Sequence, residues 1–246
     1  MRLPPDLRRA CLLAVVVSAF MVPLGGCMDP VENRATDNQY LRAPGEKPAH
    51  MEVPDKPVFP LSQGSRWEMA LRSGDKMGTE IVDANGTEQV GGRTGTVMEQ
   101  RQNGDVYRQE IYAVDPKGVW LLAAVTKDKA KNKLEKMTMN PPIALIHLPI
   151  KEGEFTPWEG VLNYQNTSAP GTALSRIGSP EKVKTLAGSF VAYRIDTIIT
   201  TTIQGKQVSF PTTRWVAPGV GIIKQKLLAG NTILYKELKS YKIAGN

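Results

Sequence analysis

Cysteine and histidine are nearly absent from this sequence, with two of each in 246 residues. So few cysteines exclude a disulfide framework, and so few histidines exclude a multi-histidine metal centre. Long apolar runs are missing too. The longest, Ala10–Leu24, is broken by Ser18 and Pro23 and falls short of the roughly 20 residues of a membrane-spanning helix. Catalytic signatures are equally scarce. No G-x-S-x-G surrounds Ser65, Ser179 or Ser189, and neither H-E-x-x-H nor C-x-x-C occurs. Gly86–Thr94 has the glycines of a phosphate loop but no lysine. Glu152, Glu154 and Glu159 cluster as a solvated loop would, and His147 reads as a strand residue beside Pro149. No catalytic residue, cofactor or metal ligand is therefore expected.

The N-terminus is the segment rich in information. Arg2, Arg8 and Arg9 precede the apolar run, which ends in Leu24-Gly25-Gly26-Cys27. A basic start, a short apolar stretch and a small-residue cleavage site make a secretory signal. Leu, two small residues and Cys resemble the bacterial lipobox, in which the Cys becomes the N-terminus and carries acyl chains. The resemblance implies lipid attachment at Cys27 and a membrane partner. Met28, where inner-membrane retention favours Asp, implies the outer membrane, facing the periplasm in a Gram-negative cell. Two or three acyl chains anchor firmly, because each buried methylene contributes about 0.8 kcal/mol. Loss of residues 1–26 removes Arg2, Arg8, Arg9 and Asp6, lowering the net charge from +7 to +5. An envelope address makes nucleic acid an unsuitable partner.

Residues 27–58 read as the lipidated Cys and a disordered tether. Five prolines, from Pro30 to Pro57, punctuate it, and no apolar period of 2 or 3.6 survives. From Phe59 to 246 a single β-rich domain is expected. Asn103-Gly104 between Thr94–Gln102 and Val106–Val114 is a strong hairpin signal. Phe190–Ile203 alternates, with Val191, Tyr193 and Ile195 on one face and Arg194 and Asp196 on the other. The pattern predicts an all-β antiparallel meander forming a curved, partly closed barrel.

Three pairs of segments echo one another in order. Pro60–Gly64 leading to Trp67 resembles Pro149–Gly153 leading to Trp158, Gly92 matches Gly188, and Tyr112–Val119 matches Trp215–Val220. The echoes suggest an internal duplication. The run Trp215–Lys224, with the Pro-Leu-x-x-Gly-x-x-Trp opening at Pro60–Trp67, resembles segments of uncharacterised bacterial envelope proteins. Such domains are similar to the half-open barrels of the LolA and LolB carriers, which implies a concave face for an acyl or protein cargo. No sequence for a helical plug accompanies it.

Two sets of residues are binding candidates. Trp67, Trp120, Trp158 and Trp215 could wall an apolar ligand or fill the core. Lys127, Lys129, Lys131, Lys133 and Lys136 could meet an anionic surface or simply solubilise a hairpin. The expectation is a non-enzymatic, lipid-anchored envelope protein binding an apolar or acyl ligand or an envelope partner. A structural or assembly lipoprotein is the alternative, and an envelope hydrolase a more distant one.

Overall fold

The computed structural model describes residues 55–128, 132–164, 167–203, 205–229 and 232–245. The signal segment, Cys27 and the tether up to residue 54 lie outside the described residues, as do Lys129 and Lys131.

Twelve strands follow one another as an antiparallel meander. They are β1 (Arg66–Ser73), β2 (Lys76–Val90), β3 (Arg93–Gln102), β4 (Asp105–Asp115), β5 (Gly118–Asp128) and β6 (Lys133–His147). The second half comprises β7 (Phe155–Tyr164), β8 (Thr167–Thr185), β9 (Gly188–Ile203), β10 (Lys206–Ala217), β11 (Gly221–Ala229) and β12 (Thr232–Lys242). Each strand pairs with its neighbours in sequence, and β12 pairs with β1, so the barrel closes completely rather than in part. Closure satisfies the edge strands that an open sheet would leave with unpaired N–H and C=O groups. In the stretch Thr126–Met139, the nearest to a helix in its pattern, residues 126–128 end β5 and residues 133–139 begin β6.

Strand alternation builds the interior. Trp67 and Met69 of β1, Met98 of β3, Tyr112 of β4, Leu121 of β5 and Ile195 of β9 belong to one apolar core. A second, smaller core of Val90, Val97, Ile111, Ala113, Leu122 and Ala123 lies on the opposite face of β3–β5. Neighbouring residues divide between the two: Val97 from Met98, Ile111 from Tyr112. A bulge between Ile111 and Tyr112 in the β4–β5 ladder brings both Leu122 and Ala123 to the second core.

The echoes in the sequence fall on strands six apart. Trp67 stands in β1 and Trp158 in β7, Gly92 precedes β3 and Gly188 opens β9, and the third pair forms the β4–β5 and β10–β11 turns. The backbone repeats with them. Gly64 donates to the Ala84 carbonyl and Ala84 to that of Ser65, both at 2.9 Å. Gly153 donates to Ile177 at 2.7 Å and Ile177 to Glu154 at 3.2 Å. Register slips just after each anchor point, between Ala84 and Thr87 in β2 and between Ile177 and Pro180 in β8. The two lead-ins also cross over. Gly219, in the β10–β11 turn, donates to the Pro57 carbonyl at 2.8 Å, while Leu148 donates to Lys117 in the β4–β5 turn at 2.9 Å.

A meander reverses at every turn, so its turns alternate between the two ends of the barrel. The chain arrives at one end through residues 55–65, a strap whose Phe59 is buried against Tyr112 with ring centroids 5.3 Å apart. The end of β5 and the start of β6, with Lys127 and Lys133, lie at the other end.

Candidate site inside the barrel

A cavity extends into the barrel from the strap end. Phe59, Pro60, Trp67, Met69, Val82, Met98 and Ile222 give it apolar walls, and Glu80, Gln100, Glu110, Tyr112, Gln225 and Lys236 give it polar ones. Its enclosed volume is about 50 Å³, room for a few water molecules, and it opens to solvent at the mouth. The phase of each strand explains this lining. Glu80 shares its face of β2 with Val82 and Ala84, Glu110 shares β4 with Tyr112, and Lys236 shares β12 with Leu238. The apolar members crowd the strap end because Trp67 and Ile222 sit where β1 and β11 begin.

The polar wall is a hydrogen-bonded network. Lys236 Nζ donates to both Glu80 oxygens, at 2.8 and 3.0 Å, and to Gln100 Oε1 at 3.2 Å. Gln100 Nε2 donates to Glu110 Oε2 at 3.1 Å, and the Tyr112 hydroxyl donates to the same oxygen at 2.8 Å. Arg108 Nη2 donates to Glu110 Oε1 at 2.6 Å. The Tyr107 hydroxyl donates to Glu80. Tyr107 reaches the network beside Arg108 because the β3–β4 ladder slips there, pairing Gln100 with Arg108 and Arg101 with Val106.

Charge around Glu110 is fixed rather than poised. Burial raises the Glu110 carboxyl, but Arg108, Arg214, the Tyr112 hydroxyl and Lys236 outweigh it and hold the group down at about 2. Burial first, then Glu80, pushes the Tyr107 phenol up, and burial and Glu110 push Tyr112 up. At neutral pH the carboxylate of Glu110 stays ionised and both phenols stay protonated. Neither matches the near-neutral group that general acid–base catalysis uses.

The four tryptophans do not share a wall. Trp67 lines the cavity, and its indole donates to the Val220 carbonyl at 2.6 Å. Trp158 is buried in the barrel core and donates to Pro141 at 2.9 Å. That bond lies just beyond the four paired positions that join β6 to β7. Trp120 is half-buried beside the second core, under the Arg93 guanidinium at 4.9 Å. Trp215 is half-buried among charged groups. It lies near Arg194 and Lys224, at 5.8 and 6.0 Å from its centroid, and donates to Glu181. Alternation explains the split, because Trp120 sits between the core residues Val119 and Leu121, and Trp215 beside Val216.

The lysines divide as well. Lys133 is exposed, Lys127 is half-buried, and Lys136 pairs with Glu88 of β2. His147 lies 3.6 Å from Glu154 on the surface of the β6–β7 connection. Sequence reasoning missed Glu80, Gln100, Arg108, Glu110, Arg214 and Lys236. The available signal was the spacing Arg108-x-Glu110-x-Tyr112, which places two charges in phase with a core aromatic.

No protein-family model matches the chain, and no curated protein matches it. Solved structures do. One is a provisionally named exported protein with a YmcC-like fold from Bacteroides fragilis, at TM-score 0.45 and 14% identity, over 76% of this chain and 99% of that one. Another is a provisionally named lipoprotein from Parabacteroides distasonis, at TM-score 0.45 and 11% identity, over 78% and 100%. The hypothetical lipoprotein YmcC from Escherichia coli matches at TM-score 0.34 and 14% identity, over 72% and 83%.

Proposed function

We propose that this chain is a lipid-anchored protein of the cell envelope that binds and does not catalyse, holding an apolar or acyl ligand inside its barrel. The observation that carries this reading is the cavity itself: an apolar sleeve of Phe59, Trp67, Met69 and Met98 leading to a buried polar wall. Such a sleeve favours a molecule with an apolar body and a small polar end. The anchor and address rest on Arg2 to Cys27. Native mass spectrometry of the full chain extracted from membranes tests the reading. An acyl compound retained by the folded protein, beyond the chains on Cys27, is the expected result. A barrel that carries none, and takes up none when offered fatty acid or fatty alcohol, sinks it.

The interior network favours the structural alternative to one degree. Lys236, Glu80, Gln100 and Glu110 satisfy one another without a guest, so the barrel is a folded object when empty.

A further inference from the structure

The two halves of the barrel differ at the tips of their equivalent hairpins. With Gly92 set against Gly188, Leu186 of the β8–β9 turn stands where Val90 stands in β2. Val90 is buried in the second core, whereas Leu186 is 66% exposed. Lys184 likewise stands where Glu88 does. Glu88 pairs with Lys136, but Lys184 has no carboxylate partner among the described residues. The fold therefore does not require an apolar residue in the open at this tip.

The β8–β9 hairpin also overhangs its neighbours. β7 begins at Phe155, opposite Arg176, and β10 is last paired with β9 at Val216, opposite Tyr193. Beyond those points Glu181–Thr185 and Gly188–Ala192 form ladder pairs only with each other. The tip leans toward β12, where the Ala187 N–H donates to the Leu238 carbonyl at 3.1 Å. Phe190 meets Tyr241 edge-on there, with ring centroids 6.0 Å apart. Val183 and Ala192, on the inner face of the hairpin, join the core. Its outer face carries Lys182 and Lys184, both exposed. Tyr241 is 42% exposed and precedes the exposed Lys242. Leu186 and Tyr241 thus share one patch of the strap end with three lysines, none of which has a carboxylate partner among the described residues.

Exposed apolar groups ringed by unpaired cations suit a surface that is anionic at its rim and apolar beneath, and a membrane supplies both. The strap enters at this same barrel end, and Cys27 precedes it in sequence. We propose that the β8–β9 tip, with Tyr241 and Lys242 of β12, is a docking surface for a membrane that contains anionic phospholipid. Leu186 enters the headgroup region, and Lys182, Lys184 and Lys242 meet lipid phosphates. The proposal rests on the lipid anchor of the reading above, not on its ligand. It adds an orientation, in which the strap end of the barrel faces the bilayer.

The test uses the protein extracted from membranes and reconstituted into vesicles of phosphatidylethanolamine and phosphatidylglycerol. Ser189→Cys puts a thiol for an environment-sensitive fluorophore on the hairpin, and Met77→Cys, at an exposed apolar position toward the other end, is the control. The Ser189 label should shift to shorter wavelength and be quenched by nitroxide-bearing lipids, while the Met77 label behaves as in water. Leu186→Asp, the pair Lys184→Gln and Lys242→Gln, or exchange of phosphatidylglycerol for phosphatidylcholine should each remove most of the shift. Hydrogen exchange of the parent needs no variant to fold. It should slow at residues 184–190 and 239–243 on the anionic vesicles relative to the zwitterionic ones. Unchanged exchange there, or a Ser189 label that stays in water while the protein floats with the vesicles, overturns the docking surface and leaves the anchor standing. A shift that the lipid quenchers do not touch places a protein partner or a second copy on the patch, and a shift at Met77 alone turns the other end to the bilayer; either overturns the proposal. Protein that does not float with the vesicles overturns the anchor and the docking surface together.

Discussion

Glu80 and Lys236 form a two-point ion pair between strands that do not touch as a ladder. Glu80 lies on β2 and Lys236 on β12, on either side of β1, and the ammonium sits 2.8 and 3.0 Å from the two carboxylate oxygens. Both side chains are almost wholly buried. The pair therefore clasps the barrel where its last strand meets its first, over the inner face of β1.

Breaking that clasp should cost more than deleting it. Lys236→Met leaves Glu80 charged and unpaired in the interior, at about 3–5 kcal/mol. Glu80→Leu combined with Lys236→Met should recover much of that loss. Urea unfolding of the single and double variants measures the difference. Additive losses would show that the pair does not act as a unit.

Acid should unfold the barrel through Glu110. Its folded value of about 2 lies below the ordinary 4.5, so the stability it contributes is complete above about pH 4.5 and is lost as pH falls toward 2. The contribution is on the order of 3 kcal/mol. Glu110→Gln should lower stability at pH 7 and flatten the decline between pH 5 and 2. A variant with the parent's acid profile would place the acid sensitivity elsewhere.

Trp67 and Trp215 should behave differently on truncation. Trp67→Ala opens a hole in the core and removes the bond to Val220, at about 3–5 kcal/mol. Trp215→Ala removes a half-buried ring and one hydrogen bond, at about 1–2 kcal/mol. Thermal melts separate the two, and equal losses would contradict their placement.

Gly219 should resist substitution for its backbone. Its φ is +80° and its N–H holds the Pro57 carbonyl at 2.8 Å. Gly219→Val should cost about 1–3 kcal/mol. A Cβ at this position would also meet the Lys56 side chain at 2.6 Å. Limited proteolysis should then cut near Lys56 faster than in the parent, and an unchanged cleavage rate would show the strap to be held by other contacts.

Cys27→Ser should shift the protein from the membrane to the soluble fraction or leave it unprocessed. Mass spectrometry of the mature chain should find acyl chains on Cys27. An unmodified Cys27 at or within the mature chain would end the anchor proposal.

Much of the architecture is legible in the sequence, and the reasons are local. Asn103-Gly104 and Gly205 mark turns through their φ preferences, and Phe190–Ile203 alternates clearly enough to give a strand. Strands β6 to β8 are harder to see, because prolines 141, 142, 157, 170 and 180 interrupt the alternation that identifies a strand. Closure depends on β1 meeting β12, a contact between residues more than 160 positions apart that no local pattern encodes. The interior charges were hidden for a related reason. Glu80, Arg214 and Lys236 resemble solvent-facing residues until the partners that neutralise or face them are brought across the barrel.

An even number of strands returns the chain to where it began. Ala244 donates its backbone N–H to Ser65 Oγ at 2.9 Å, two residues from the end of the chain and just ahead of β1. An affinity tag at the C-terminus would thus crowd the mouth of the cavity and the strap at residues 55–65. Labels meant to leave both undisturbed belong at the far hairpins, at Gly74-Asp75 or Asn103-Gly104, where an inserted epitope would point away from the cavity mouth.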